Sequence, residues 1–510
     1  MLSRLKSTAK NSFIYGIGNL STKLIGLILL PLYTHILPVG EFGMLAMLES
    51  SSQVLITIFG LNLYNAFLRW YWEKEYEQKR NSMFFTAIVF LIFVSGIMVV
   101  SLIGGSRILA SSLLGSSQYY KLIRLMVITA GFEIIGVMPL TLMRIQERPL
   151  LFITANVLKF VVNLTLTVFF IVVLKHRIEG IYEAQIIGNI IFFLFLSRYI
   201  IKHIEARLDI KVLKEMLSFS MPLVMASVAG IFLTFTDRFT LKFINGLEQL
   251  GNYQYGYKIA NAIKVIVLNS VSFALAPVIY KIIDEKGSKR FYSKILTYMG
   301  FGVMIIVMIV SFFSKEISMI LANKKEYWSA FTLIPVLAMG LYFGSLKDIV
   351  FTGLNISKKT KISAVIITSV SVINVGLNVI FIYFFRSMGA AVATSLSQLI
   401  YLVLVWKYSQ KYFYVPYEWK KIIKIFIVGS VLTAAAMYSN NLSFLPAILI
   451  KLMLLCIFPL VLYWWNFFEE IELVRLRGLY LKWRNPARWM ANIKNRSNTD
   501  VSESEHSSTP

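Results

Sequence analysis

Acidic side chains are scarce in this 510-residue chain: 26 Asp and Glu stand against 51 Lys and Arg, and no Asp precedes Asp209. Charge of either sign is sparse too, at 15% against about 25% in soluble domains. That is too little to clothe a water-exposed surface. Cysteine occurs once, Cys456, inside an apolar run, which excludes a disulfide framework and a thiolate metal centre. His35, His176, His203 and His506 are scattered, so no metal-ligand spacing exists. The dipeptide Gly-Lys is absent, and with it the phosphate-cradling loop of an ATPase. Before the C-terminal tail no segment between apolar runs exceeds about twenty residues, so there is no room for a soluble catalytic domain.

What is there is hydrocarbon. Apolar residues make up 57% of the chain and aromatics 14%, and mean hydropathy is +0.69. The excess gathers in stretches of about twenty residues, the length at which a helix crosses a hydrocarbon layer ~30 Å thick. Runs such as Met83–Gly104 do not alternate polar with apolar, as barrel strands would. The expected fold is therefore all-α and integral to the membrane, with fourteen spans near 13–36, 44–68, 83–104, 122–143, 150–174, 181–201, 218–243, 253–280, 295–313, 330–353, 362–385, 388–405, 422–438 and 445–465. The first lacks a small-residue cleavage site and reads as an uncleaved anchor.

Orientation follows from the basic residues. With the N-terminus inside, the cytoplasmic segments hold 33 Lys and Arg and the opposite segments 9. Both termini are then cytoplasmic, and the +25 net charge is a positive-inside signal, with no nucleic-acid partner implied. Trp70, Tyr71, Trp72, Trp464 and Trp465 fit interfacial belts.

An ionised side chain at a span centre costs about 2.5–3.5 kcal/mol, so it faces a polar cavity or a partner. Lys23, Lys159, Lys258 and Lys264 lie within spans, with Arg238 and Lys347 nearer the ends; Glu49, Glu133, Glu183, Asp237 and Asp348 are the acids. Lys347, Lys424 and Lys451 fit lysines that snorkel to the headgroups. Helical phase gathers Tyr15, Asn19 and Lys23 on one face, Gln254, Tyr257, Lys258, Asn261 and Lys264 on another, Asn156, Lys159, Asn163 and Thr167 on a third, and Ser220, Ser227, Thr234 and Arg238 on a fourth. Four polar stripes imply a shared wet interior. The cation excess suits it to an anionic substrate. Glu49 and Glu133 read as counter-charges or as proton or sodium sites, and Asp237-Arg238 as functional or as a local ion pair.

Residues 36–43, Ile-Leu-Pro-Val-Gly-Glu-Phe-Gly, resemble residues 244–251, Ile-Asn-Gly-Leu-Glu-Gln-Leu-Gly, at an offset of 208. Each joins the first to the second span of a six-span group, and both groups start from the cytoplasm. This predicts a parallel repeat about an axis along the membrane normal: an N-lobe over 1–201, a linker over 202–217, a C-lobe over 218–408, two further spans within 409–465, and a basic tail over 466–510 with a disordered end. Two lobes with substrate between them is the plan of an alternating-access transporter.

Several motifs also carry a family likeness. Asn11-Ser12-Phe13-Ile14-Tyr15-Gly16-Ile17-Gly18, Leu30-Pro31-Leu32-Tyr33-Thr34-His35-Ile36-Leu37-Pro38, Thr236-Asp237-Arg238-Phe239 and Tyr257-Lys258-Ile259-Ala260 resemble the polysaccharide-transport branch of the multidrug/oligosaccharidyl-lipid/polysaccharide exporter superfamily. The likeness spans nearly the whole chain. It implies a MATE-like fold of two six-helix lobes plus two C-terminal helices. It also implies a non-enzymatic flippase that carries undecaprenyl-diphosphate-linked oligosaccharides, of the O-antigen kind, across the bacterial inner membrane. Lys23, Lys159, Lys258, Lys264 and Arg238 would contact the diphosphate or acidic sugars. Tyr15, Asn19, Gln254, Tyr257 and Asn261 would bind sugar hydroxyls. Glu49, Glu133 and Asp237 would serve as counter-charges or coupling sites for Na+ or H+, and no cofactor or metal is expected. Membrane lipids, a glycan polymerase and chain-length proteins are the expected neighbours. The alternatives are a multidrug antiporter of the sister branch, disfavoured by Lys23 where a carboxylate would suit cationic drugs, and a membrane glycan polymerase or ligase, disfavoured by the acid-free loop 105–121.

Overall fold

The computed structural model describes residues 26–268, 283, 285, 287–470 and 472–474. Tyr15, Asn19, Lys23 and the tail beyond 474 lie outside the described residues.

Among the described residues there is no strand. A segment in hydrocarbon must satisfy every backbone N–H and C=O within itself, and a helix does so. The helices are α1 (Leu30–Ile36), α2 (Val39–Phe59), α3 (Leu63–Trp70), α4 (Arg80–Gly104), α5 (Ser106–Leu114), α6 (Tyr120–Ile145), α7 (Pro149–Val168), α8 (Arg177–Lys202), α9 (Ile210–Ile263), α10 (Ser288–Phe312), α11 (Ser314–Leu321), α12 (Leu333–Ile356), α13 (Thr360–Tyr412), α14 (Trp419–Tyr438) and α15 (Phe444–Trp464). Among the described residues eleven stretches are long and apolar enough to cross a membrane, so the protein is a multi-pass membrane protein.

Two of the eleven are hairpins. α9 breaks at Gly246 (φ 87°) and α13 at Arg386 (φ 50°). Each folds back on itself: Arg238 bonds Gln254 across the first break, and Asn374 bonds Ser397 across the second. Glycine meets the left-handed backbone without steric cost; Arg386 adopts it with a side chain in place. The span expected over 44–68 is interrupted instead. Leu61 and Asn62 both have positive φ and separate α2 from α3. Asn62 Nδ2 then donates to Ser227 Oγ at 2.6 Å and to the Leu223 carbonyl at 3.2 Å.

The 208-residue repeat has a physical counterpart. α2 crosses the second arm of α9 where a Cβ on Gly43 would collide with the Leu247 carbonyl, and one on Gly251 with the Val39 carbonyl. These two contacts are equivalent under the offset. Glu41 is held by Arg177 at the start of α8, and its counterpart Gln249 by Ser387 at the start of the second arm of α13, at 2.7 Å. Around the crossing, the end of α1 docks on the α11 region: Thr34 Oγ1 donates to the Leu321 carbonyl at 2.7 Å, Lys324 to Ile36 O at 2.9 Å and Tyr327 to Leu37 O at 2.9 Å. Reciprocally, Lys242, at the end of the first arm of α9, bonds the Ser112 carbonyl of α5. All these contacts lie on the face that the charge count assigns to the outside.

The chain divides into two compact units at Glu418/Trp419. The second contains α14 and α15. There Lys424 Nζ donates to the Trp465 carbonyl at 2.6 Å. Lys451 differs from the expectation: its side chain is 0% exposed.

Candidate functional site

The polar residues of the first unit converge on α9. Before Gly246, Asp237 and Arg238 are almost wholly buried. Arg238 Nη1 lies 2.9 Å from Asp237 Oδ1 and 2.7 Å from the Thr234 carbonyl, its Nε donates to Gln254 Oε1 at 3.0 Å, and its guanidinium stacks 4.2 Å from the Tyr257 ring. The Tyr253 hydroxyl donates to Asp237 Oδ2. A buried ion pair is tolerated when its remaining donors and acceptors are satisfied in this way. Asp237-Arg238 is thus a neutral knot tying the two arms together.

After Gly246, Lys258 Nζ lies 3.2 Å from Glu49 Oε1 of α2 and 5.2 Å from the Phe42 ring. In the N-lobe, Lys159 Nζ sits 2.6 Å from Glu133 Oε1, with Asn189 beside the same oxygen at 3.4 Å. The rest of the Lys159 stripe is occupied by helix packing: Asn156, Asn163 and Thr167 are buried, and a Cβ on Gly188 of α8 would strike the Asn163 amide. That stripe is an α7–α8 contact more than a cavity wall. Three of the expected cations therefore each carry a carboxylate partner.

Lys264 is the exception. It is exposed and lines a cavity of about 310 Å³ with Tyr257, Asn261, Thr234, Asp237, Lys347, Asp348, Gln398 and Tyr401. Lys347 and Asp348 pair with each other at 2.7 Å, and Asp237 with Arg238, which leaves Lys264 without an ion-pair partner among the described residues. Among the described residues, Lys264 is the cation of this wall that no carboxylate partners. A second cavity, about 410 Å³, opens between the break at Gly60–Asn62 and the first arm of α9, lined by Thr57, Asn62, Tyr64, Ser227, Gly230 and Thr234. Gly230 and Thr234 border both cavities.

The structure thus brings Asp237, Arg238, Gln254, Tyr257, Asn261 and Lys264 into one neighbourhood, and holds Lys258–Glu49 and Lys159–Glu133 as separate pairs. Sequence reading passed over Gln398 and Tyr401, and also Asn374, which bonds Ser397 Oγ at 2.9 Å, and Asn378, which bonds Asn374. The spacing of the two asparagines within an apolar run was the available signal. Among the described residues no cluster of His, Cys, Asp and Glu is suited to a metal ion.

An all-α, multi-pass bundle built as a parallel repeat is the fold of MOP-superfamily transporters, and solved structures bear this out. "Lipid II flippase MurJ, inward closed conformation" superimposes with a TM-score of 0.71 at 19% identity, over 88% of this chain and 99% of that one. An outward-facing multidrug resistance MATE family transporter of the MOP superfamily gives 0.58 at 14% identity, over 80% and 95%. By sequence, the chain belongs to the polysaccharide biosynthesis protein family, which matches residues 8–283. A Shigella flexneri protein named "Putative O-antigen transporter" is 23% identical over 244 residues, 48% of this chain and 58% of that protein. The uncharacterized membrane protein MJ1068 of Methanocaldococcus jannaschii is 25% identical over 239 residues, 46% of each. The chain spans about half the length of the curated relatives it matches. These relatives are described as transporters, flippases or membrane proteins, not as enzymes.

Proposed function

We propose that this protein is a flippase that moves undecaprenyl-diphosphate-linked oligosaccharide units from the cytoplasmic to the outer leaflet of the bacterial inner membrane, with both termini in the cytoplasm. The observation that carries the reading is the cavity wall with Lys264, which has no ion-pair partner among the described residues, beside Asn261, Tyr257 and Gln398. An ammonium group on the wall of a cavity enclosed by helices attracts a diphosphate more strongly than one in bulk water, and the amide and phenol groups suit sugar hydroxyls. Closure of the outer face at Gly43 and Gly251 fits the inward-facing half of an alternating-access cycle. Glu49, Glu133 and Asp237 each have a cation within about 3.2 Å, which favours a counter-charge role over vacant Na+ or H+ sites. A positive wall also disfavours cationic drugs as cargo. A glycan polymerase and chain-length proteins belong to this reading as downstream partners.

The test is a charge series at Lys264 in a glycan-export assay. Lys264→Ala and Lys264→Gln are expected to abolish export at normal membrane abundance, whereas Lys264→Arg keeps part of it, because the charge survives with altered geometry. Normal export by the alanine variant overturns the site.

A further inference from the structure

We propose that an apolar groove between the middle of α2 and the first arm of α9 receives the single isoprenoid chain of the lipid-linked substrate, which enters the protein sideways from the hydrocarbon layer. The groove has a volume of about 340 Å³ and is walled by Val54 and Ile58 of α2, Val228, Phe232 and Phe235 of α9, and Val375 of α13. Phe232 is 54% exposed and Ile58 40%, so the groove opens laterally, where lipid tails are.

Continuity with the polar cavities identifies its occupant. Thr57 and Ile231 border both the groove and the 410 Å³ cavity beside the Gly60–Asn62 break. Gly230 and Thr234 border both that cavity and the one containing Lys264. The path therefore runs from a positive, hydroxyl-rich wall to a greasy opening within the length of one helical arm. Gly230 stands where the two polar cavities meet, and only Ile367 Cδ1, at 3.6 Å, comes within 4 Å of where a Cβ would be.

An amphiphile with an anionic, sugar-bearing head and a long apolar tail matches that sequence of surfaces. Each methylene drawn into a polar cavity forfeits about 0.8 kcal/mol of burial, so a long chain has to remain in an apolar passage while its head moves. A single groove takes a one-chain lipid; a bilayer phospholipid brings two. This inference rests on the flippase reading and adds the place where the tail lies.

The experiment uses the full chain in nanodiscs and a polyprenyl diphosphate with a diazirine on its isoprenoid chain. Photo-adducts are expected on the peptides containing Val54–Ile58 and Val228–Phe235. Val54→Trp and Val228→Trp, which fill the groove from opposite walls, should weaken polyprenyl diphosphate binding roughly five- to tenfold and leave inorganic diphosphate binding unchanged. Adducts elsewhere, or adducts lost on adding excess phospholipid, overturn the groove while the flippase reading stands. Failure of the wild-type protein to bind polyprenyl diphosphate overturns both. Because the adducts are mapped on the wild-type chain, the result does not depend on whether the tryptophan variants fold.

Discussion

Arg238 and Lys258 stand on the two arms of α9, each beside one carboxylate, yet their surroundings have little in common. The Arg238 and Asp237 side chains are 3% and 5% exposed, and those of Lys258 and Glu49 14% and 41%. The first pair lies inside one hairpin and is enclosed by Tyr253, Gln254, Thr234 and Tyr257. The second joins α9 to α2, across the two halves of the repeat, with Glu49 partly open. A desolvated pair is costly to break, because the partner left behind remains buried. A partly solvated pair is worth at most about 1 kcal/mol and separates readily. The contrast distinguishes a charge that builds the fold from one placed where the proposed alternating-access cycle would part the halves.

The largest expected effect tests that distinction. Arg238→Leu should cost about 3–5 kcal/mol by stranding Asp237, seen as loss of the folded fraction in a detergent melting assay. Adding Asp237→Asn should recover most of it. Lys258→Ala, in the same assay, should cost about 1 kcal/mol or less. Equal losses at the two positions would erase the difference between the knot and the pair.

A smaller effect is expected at the crossing of α2 with α9. Gly43→Val and Gly251→Val both push a side chain into a facing carbonyl, at roughly 1–3 kcal/mol each for an overpacked contact. Under the repeat the two penalties should match. Both should raise thiol labelling of a cysteine introduced at Gly40, which faces Glu248 across the outer mouth. A large inequality between them would mean that the repeat does not share the load at this point.

The smallest effect lies at the water-exposed start of α9, where a third ionic contact sharpens the series. Asp209 caps the helix through Val212 N–H at 3.1 Å and meets Lys79 at 3.3 Å. Burial pushes its carboxyl upward, but the Val212 N–H, Lys79 and Arg207 outweigh burial and hold it below the usual carboxylate range. A depressed folded-state pKa means stability that is present above the unfolded value and lost as pH falls through the folded one. Asp209→Asn should therefore cost about 1 kcal/mol near neutrality, and the gap to wild type should close below pH ~4. A gap that persists at lower pH would show that the carboxylate's charge contributes nothing.

The spans that fall among the described residues were legible because hydrocarbon admits so few solutions: a run of apolar residues long enough to cross has to be helical. The Gly246 and Arg386 breaks were legible as well, since each falls where a charged or glycine-bearing junction parts two such runs. The interruption at Gly60-Leu61-Asn62 was not, because no charge marks it. At the site, helical phase put Tyr257, Asn261 and Lys264 on one face, and they do line one cavity. Phase says nothing about how neighbouring helices are rotated, however. It left open that Lys159 and Lys258 sit against Glu133 and Glu49, and that Asn163 fits the gap left by Gly188. Those are properties of pairs of helices, and a single chain's pattern does not encode them one helix at a time.

The two outer seams are alike in position and unequal in strength. The end of α1 is fastened through Thr34, His35, Ile36 and Leu37 in succession, whereas the matching seam is fastened through Lys242, a long side chain reaching a carbonyl at the surface. A clasp with one tight and one loose fitting comes undone in a set order. If the protein works by the alternating access proposed above, the loose side should let go first and the tight side act as the pivot, so the outer mouth would open like a door hung on α1, not like a pair of symmetric jaws.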